Sequence, residues 1–111
     1  MKYSNEQRLQ KIYENALKLN EYIKENNIGK DDLLNNQPLQ WLVTTPLYNI
    51  GEHVYYLSDD YKSAHENIQW KMISGLRHRL VHDYDGINWN IISDIVLQEI
   101  PILLEQLETL I

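Results

Sequence analysis

Eight consecutive residues, Arg77-His78-Arg79-Leu80-Val81-His82-Asp83-Tyr84, bring together two guanidinium groups, two imidazoles, a carboxylate and a phenol. Imidazole takes or gives a proton near neutral pH. Guanidinium holds the negative charge that builds on phosphate oxygens. Together they are what phosphodiester cleavage needs when no metal takes part. Tyr84 stands just beyond, between Asp83 and Asp85, where it can bond a phosphate or be modified.

The spacing qualifies this. His78 and His82 are four apart and share a helix face, and Arg79 lies near His82. Arg77 is five residues from His82, roughly 140° around a helix that turns about 100° per residue. The two converge if the helix loosens at its end, or across a two-fold axis that brings Arg77 of one chain to His82 of another. Plainer readings exist: a polar helix face, and solvated charges at a helix C-terminus, where the macrodipole favours cations. Histidines at i, i+4 can bind zinc, but no third ligand is obvious. His53 and His65 lack metal-type spacing to the pair and read as surface residues, so neither a metal nor another cofactor is expected. Glu52 has two readings, a partner for Arg77 or, favoured, an exposed residue or member of a helix-surface pair.

The elements that must carry this cluster are helical. Four glycines and three prolines punctuate the chain, and strand-like alternation is hard to find. Ser4, with Gln7 three residues on, predicts a capped first helix carrying Leu9, Ile12, Ala16, Leu19 and Ile23 on one face, with Gly29 as its C-terminal cap. Residues 31–34 form a short helical turn. A second long helix runs from Pro38 to about Leu57, kinked or split by Pro46, and Ser58-Asp59-Asp60 is a break. The third covers about Ile68 to His82 with Trp70, Ile73, Leu76, Leu80 and Val81 inward. The last runs from about Asn88 to Leu110 and bends at Pro101. Its Ile91, Leu97, Ile102, Leu104 and Ile111 exceed one core-facing stripe and suggest cover for a partner chain. Trp41, Trp70 and Trp89 read as core anchors.

The predicted fold class is all-α, an up-and-down four-helix bundle with short extra helical turns, in a single domain over residues 1–111. Hydrophobic residues make up 43% of the 111, ordinary for a globular chain. There is no Cys, which fits a reducing cytoplasm. The N-terminus does not read as a signal peptide, and no stretch approaches the about 18 apolar residues of a membrane span. A net charge of −6 works against a broad electrostatic grip on nucleic acid. Contact with RNA must be local, through Lys71, Arg77 and Arg79.

The run Gly75-Leu76-Arg77-His78-Arg79-Leu80-Val81-His82-Asp83-Tyr84 resembles the signature of HEPN-domain toxins of the HepT-like ribonuclease family: Arg, four to six residues, His, any residue, Tyr. Ile50-Gly51-Glu52, Gly86-Ile87-Asn88-Trp89 and Ile100-Pro101 are similar to flanking segments of that family. One departure is His78, where close relatives usually carry Asn; it could be a second imidazole, a phosphate donor or a spacer. The resemblance implies a HEPN-like helical domain that acts as a homodimeric, metal-independent endoribonuclease. Its motif would line the dimer cleft, with Arg77 and His82 catalytic and His78 and Arg79 supporting. It also implies the toxin of a type VII-like toxin–antitoxin pair, whose minimal nucleotidyltransferase antitoxin transfers AMP onto Tyr84. The alternative is a non-catalytic helical module that docks a nucleotidyltransferase or binds nucleotide.

Overall fold

Helix α1, Asn5–Glu25, begins as its sequence dictates: the Ser4 hydroxyl accepts from the Gln7 amide at 3.1 Å, and the Gln7 side chain accepts from the Ser4 amide at 2.8 Å. A computed structural model describes residues 2–81 and 86–111. The readings on His82, Asp83, Tyr84 and Asp85, and on the side chain of Val81, lie outside the described residues. The end of α1 departs from expectation. Asn27, not Gly29, takes the left-handed conformation (φ 51°). The amides of Asn27 and Ile28 reach back to the carbonyls of Lys24 and Ile23, which closes a Schellman motif with asparagine in the glycine position. Gly29 instead precedes α2, Lys30–Asn35, and its amide donates to the Asp32 carboxylate at 2.8 Å.

The long helix α3, Gln37–Tyr55, runs unsplit through Pro46. Proline there removes the bond to the Leu42 carbonyl. Leu42 is exposed, so water can substitute for the missing partner. The expected break at Ser58 is an N-cap: its hydroxyl accepts from Tyr61 at 3.2 Å and opens α4, Asp59–Ala64. Helix α5 spans Trp70–Val81. The final stretch comprises α6, Trp89–Asp94, a π turn at Ile95–Glu99 and α7, Ile100–Glu108. The Ile100 amide reaches the Ile95 carbonyl, five residues back. The bend expected at Pro101 is thus a change of register one turn earlier. A proline ring clashes with the carbonyl four residues before it, and a widened turn relieves the clash.

The result is an all-α bundle of four long helical stretches, with α2 and α4 as the short extra turns and no strand among the described residues. No helix among them is long and apolar enough to cross a membrane. Leu9, Ile12, Ala16, Leu19 and Ile23 of α1 meet Val43, Leu47, Ile50 and Val54 of α3, Ile73, Leu76 and Leu80 of α5, and Ile100, Leu103 and Leu107 of α7 in one core. Of the three tryptophans, only Trp70 is a buried anchor, its indole N–H bonded to the His65 carbonyl at 2.9 Å. Trp89 is partly buried, and Trp41 is 57% exposed. Trp41 sits two residues from both Leu39 and Val43, about 200° off the buried stripe of α3. Among the surplus residues of the last stretch, Leu104 joins the core, while Ile91, Ile102 and Ile111 remain exposed.

Helix α3 approaches α5 closely at Gly51. A Cβ built there would stand 2.8 Å from the Arg77 amide nitrogen, 3.2 Å from the Ile73 carbonyl oxygen and 3.3 Å from the Leu76 Cβ. Two of those neighbours are backbone and cannot swing aside. Gly51→Ala is therefore expected to destabilise the protein by about 1–3 kcal/mol, an overpacking cost. Gly75→Ala meets no atom within 4 Å and should stabilise α5 by up to about 1 kcal/mol. Chemical denaturation of the two variants checks the contrast.

Candidate active site around Arg77

Arg77 leaves α5 toward the C-terminal turns of α3. Its Nε–H donates to Glu52 Oε1, and the Tyr48 hydroxyl lies 3.4 Å from the same oxygen. Glu52 follows Gly51 directly, so the glycine that lets the backbones approach also brings carboxylate and guanidinium within reach. The favoured reading of Glu52, an exposed residue or a member of a helix-surface pair, gives way to the other: it is Arg77's partner, and both side chains are about one-third exposed (31% and 34%). The hydrogen bond, then the carboxylate's charge, hold Arg77 more firmly cationic than an ordinary arginine. Its guanidinium carbon also lies 4.3 Å from the Tyr55 ring centre and 5.7 Å from that of Tyr56.

A second set of contacts continues from there onto α1. Arg8 stands over the Tyr56 ring at 5.0 Å and the Tyr3 ring at 5.4 Å, and Lys11 over Tyr3 at 5.1 Å. Arg8 Nη1 lies 3.1 Å from His53 Nδ1. Since arginine only donates, Nδ1 must accept. Neutral His53 therefore carries its proton on Nε2. His53 is half-buried rather than at the surface, and Tyr3 packs edge-on against it at 5.5 Å. His65 is half-buried too, 4.5 Å from the Tyr61 ring. Lys2, Tyr3, Arg8, Glu52, His53 and Tyr56 line a cavity of about 560 Å³.

The expected positive cluster of Lys71, Arg77 and Arg79 is divided. Arg79 is two residues from Arg77, about 200° around α5. With Lys71 it lines a different groove of about 320 Å³, against Ile91 and Asp94 of α6. His78 is exposed on α5 between them. Thus Arg77 joins Glu52, Tyr55 and Tyr56, Arg79 faces α6, and His82 and Tyr84 lie outside the described residues. Sequence reasoning missed Arg8, Tyr55, Tyr56 and the decisive role of Gly51. The adjacent Tyr55-Tyr56 at the end of an amphipathic helix was the available signal.

The fold and the motif define a helical-bundle protein of the HEPN type, and the comparison with known proteins gives the family. The chain belongs to the HepT-like ribonuclease family, whose model matches residues 4–110. The probable ribonuclease HepT of Thermococcus cleftensis is 30% identical over 110 residues, 99% of this chain and 98% of that one. A provisionally named RNase of Methanocaldococcus jannaschii is 31% identical over 97 residues, 87% of each chain. Another, from Caldanaerobacter subterraneus, is 33% identical over 84 residues, 76% of this chain and 75% of that one. No solved structure matches the chain.

Burial, followed by the Arg8 and Lys11 charges, lowers the His53 pKa below its ordinary value, and Glu52 opposes them. Protonation would also remove the acceptor that Nδ1 offers Arg8. In the window between the folded value and the unfolded value of about 6.5 the unfolded chain binds more protons. Stability contributed by neutral His53 is therefore complete above about pH 6.5 and declines as pH falls through the folded value. Thermal unfolding should show a loss of stability on going from pH 7 to 5 that His53→Gln reduces. An identical pH profile in the variant would rule out this assignment.

Proposed function

We propose that this chain is a metal-independent endoribonuclease and that Arg77 and His82 are its catalytic residues. What carries the reading is Arg77: the arginine of the family motif is held by Glu52 through Nε, which leaves its two terminal amino groups as the natural contact for a phosphate. The names of the relatives as ribonucleases support the same activity.

His82 would take the proton of a ribose 2′-OH as that oxygen attacks the adjacent phosphorus. The P–O5′ bond breaks, and the leaving 5′ oxygen receives a proton from the symmetry-related His82 or from His78. The products are a 2′,3′-cyclic phosphate and a 5′-OH end. Arg77 would stabilise the charge that builds on the phosphorane oxygens, and one such preorganised donor is worth about 3–4 kcal/mol. Arg79 would support from the other side of α5, toward a second copy of the chain. A homodimer is part of the proposal, because Arg77 and His82 five residues apart meet most directly across a two-fold axis.

We further propose that the chain acts as a single HEPN-like domain in the cytoplasm, as the toxin of a type VII-like toxin–antitoxin pair. A minimal nucleotidyltransferase would transfer AMP from ATP to the Tyr84 oxygen and release pyrophosphate. The added phosphate charge and bulk would repel RNA from the cleft. A second reading, a non-catalytic module that docks a nucleotidyltransferase or binds nucleotide, is favoured by the net charge of −6.

The purified protein should cut RNA in EDTA. Arg77→Ala should lower the rate by about 10²–10³, and His82→Ala should abolish cleavage. Cleavage that EDTA stops, or that His82→Ala leaves untouched, refutes the mechanism. Expression should arrest growth in a manner relieved by His82→Ala; harmless expression favours the docking module. Intact mass should rise by AMP units on incubation with the neighbouring nucleotidyltransferase and ATP, and Tyr84→Phe should prevent the rise.

A further inference from the structure

Cations and aromatic rings alternate without a gap from α1 to the motif arginine. Lys11 stands over Tyr3, Arg8 over Tyr3 and Tyr56, and Arg77 over Tyr56 and Tyr55, with every separation between 4.3 and 5.7 Å. Tyr56 is shared by Arg8 and Arg77, so the ladder ends on the residue placed at the scissile phosphate. Tyr55 and Tyr56 are 51% and 50% exposed, and their rings meet edge to face at 5.0 Å. Two large rings left half in water at the end of a core helix are not serving the core.

We propose that Tyr3, Arg8, Lys11, Tyr55 and Tyr56 form a second subsite that grips single-stranded RNA on one side of the cleaved linkage, by stacking on its bases and pairing with its phosphates. The inference rests on the nuclease reading above and adds the surface that holds the strand.

Three observations support it. The first is charge. In a chain of net −6, Lys2 and Arg8 line one cavity, Lys11 shares the Tyr3 ring with Arg8, and Arg77 shares the Tyr56 ring with it, while the carboxylate that lines the cavity, Glu52, is committed to Arg77. His53 senses the same field, since Arg8 and Lys11 both lower its pKa. The second is composition. Aromatic rings interleaved with cations suit unstacked bases joined by phosphates, because every base offers a π face whatever its identity. A duplex hides those faces. The third is continuity. The adjoining cavity of about 560 Å³ is lined by Arg8, Tyr3 and Tyr56 together with Glu52, so it opens beside the proposed phosphate position rather than elsewhere on the molecule.

The test uses the whole chain and a ten-nucleotide oligouridylate, 2′-O-methylated throughout so that it cannot be cut, with binding read by fluorescence anisotropy across a salt series. Wild type should bind it. Tyr56→Ala should weaken binding roughly 5- to 150-fold, the range for loss of one stacking ring, and Tyr56→Phe should retain it. Arg8→Ala should weaken binding and lower the slope of log K against log salt by about 0.7, one phosphate contact. Lys18→Ala, in the separate groove lined by Leu42 and Pro46, should bind as wild type. Melting curves confirm that each variant is folded. Absence of wild-type binding, or binding indifferent to both Arg8→Ala and Tyr56→Ala, overturns the subsite. So does a change of oligomeric state in Tyr56→Ala on sedimentation, which would assign the face to a second copy of the chain. Cleavage of the unmodified oligonucleotide by wild type is scored separately. Cutting with indifferent variants rejects the subsite alone; sensitive variants without cutting reject the nuclease reading alone.

Discussion

The close approach of α3 and α5 at Gly51 is the constraint from which the candidate site follows. With no side chain at 51, the Arg77 amide comes nearer to α3 than any Cβ would allow. That contact sets the register of the two helices. The next residue along α3 is then Glu52, and the guanidinium from the facing turn of α5 falls onto its carboxylate. A bulkier residue at 51 would wedge the helices apart and lengthen the reach between the charges. The apolar residues on either side, Leu47, Ile50 and Val54 against Ile73, Leu76 and Leu80, hold the approach closed. Core packing and site geometry are one arrangement here.

The Glu52–Arg77 pair is placed where its energy is small and its geometric effect is large. Both side chains are about one-third exposed, so water screens their attraction and the pair adds little to stability. What it does is restrict rotamers. An arginine side chain loses considerable freedom when its fork is fixed, and here that loss is taken in the folded state, before any phosphate arrives. Binding through the one Nε edge rather than both amino groups keeps the rest of the fork oriented outward from the carboxylate. The Tyr55 ring beneath the guanidinium adds a second restraint that leaves its charge intact.

Much of the bundle could be read directly from periodicity. The buried stripe of α1, its capping box and the inward Trp70, Ile73, Leu76 and Leu80 of α5 all stand where apolar spacing and cap chemistry put them. The departures have local causes. Asparagine tolerates the left-handed conformation, so Asn27 could close α1 two residues before the glycine that seemed the natural stop. Ser58-Asp59-Asp60 reads equally as a break or as an N-cap followed by an acidic first turn, and only the six-residue α4 distinguishes them. Residue type makes Trp41 a core anchor, yet its phase on α3 places it opposite the stripe. Arg77 and Arg79 look like one patch in a linear reading, yet alternate residues on a helix diverge, and they serve different grooves.

By itself the sequence determined the all-α class, the helix faces and the motif residues Arg77, His82 and Tyr84, because those are properties of residue type and spacing along one chain. Only the tertiary structure decided that Glu52 holds Arg77, that Gly51 makes the approach possible, and that Arg8 of α1 and Tyr3, just ahead of that helix, extend the surface through Tyr56. Residues 25 and more than 40 positions apart in the chain are joined by these contacts. Helical periodicity states which face is buried. It carries no information about which helix covers that face or at what height, and those two quantities are set by how the finished core packs.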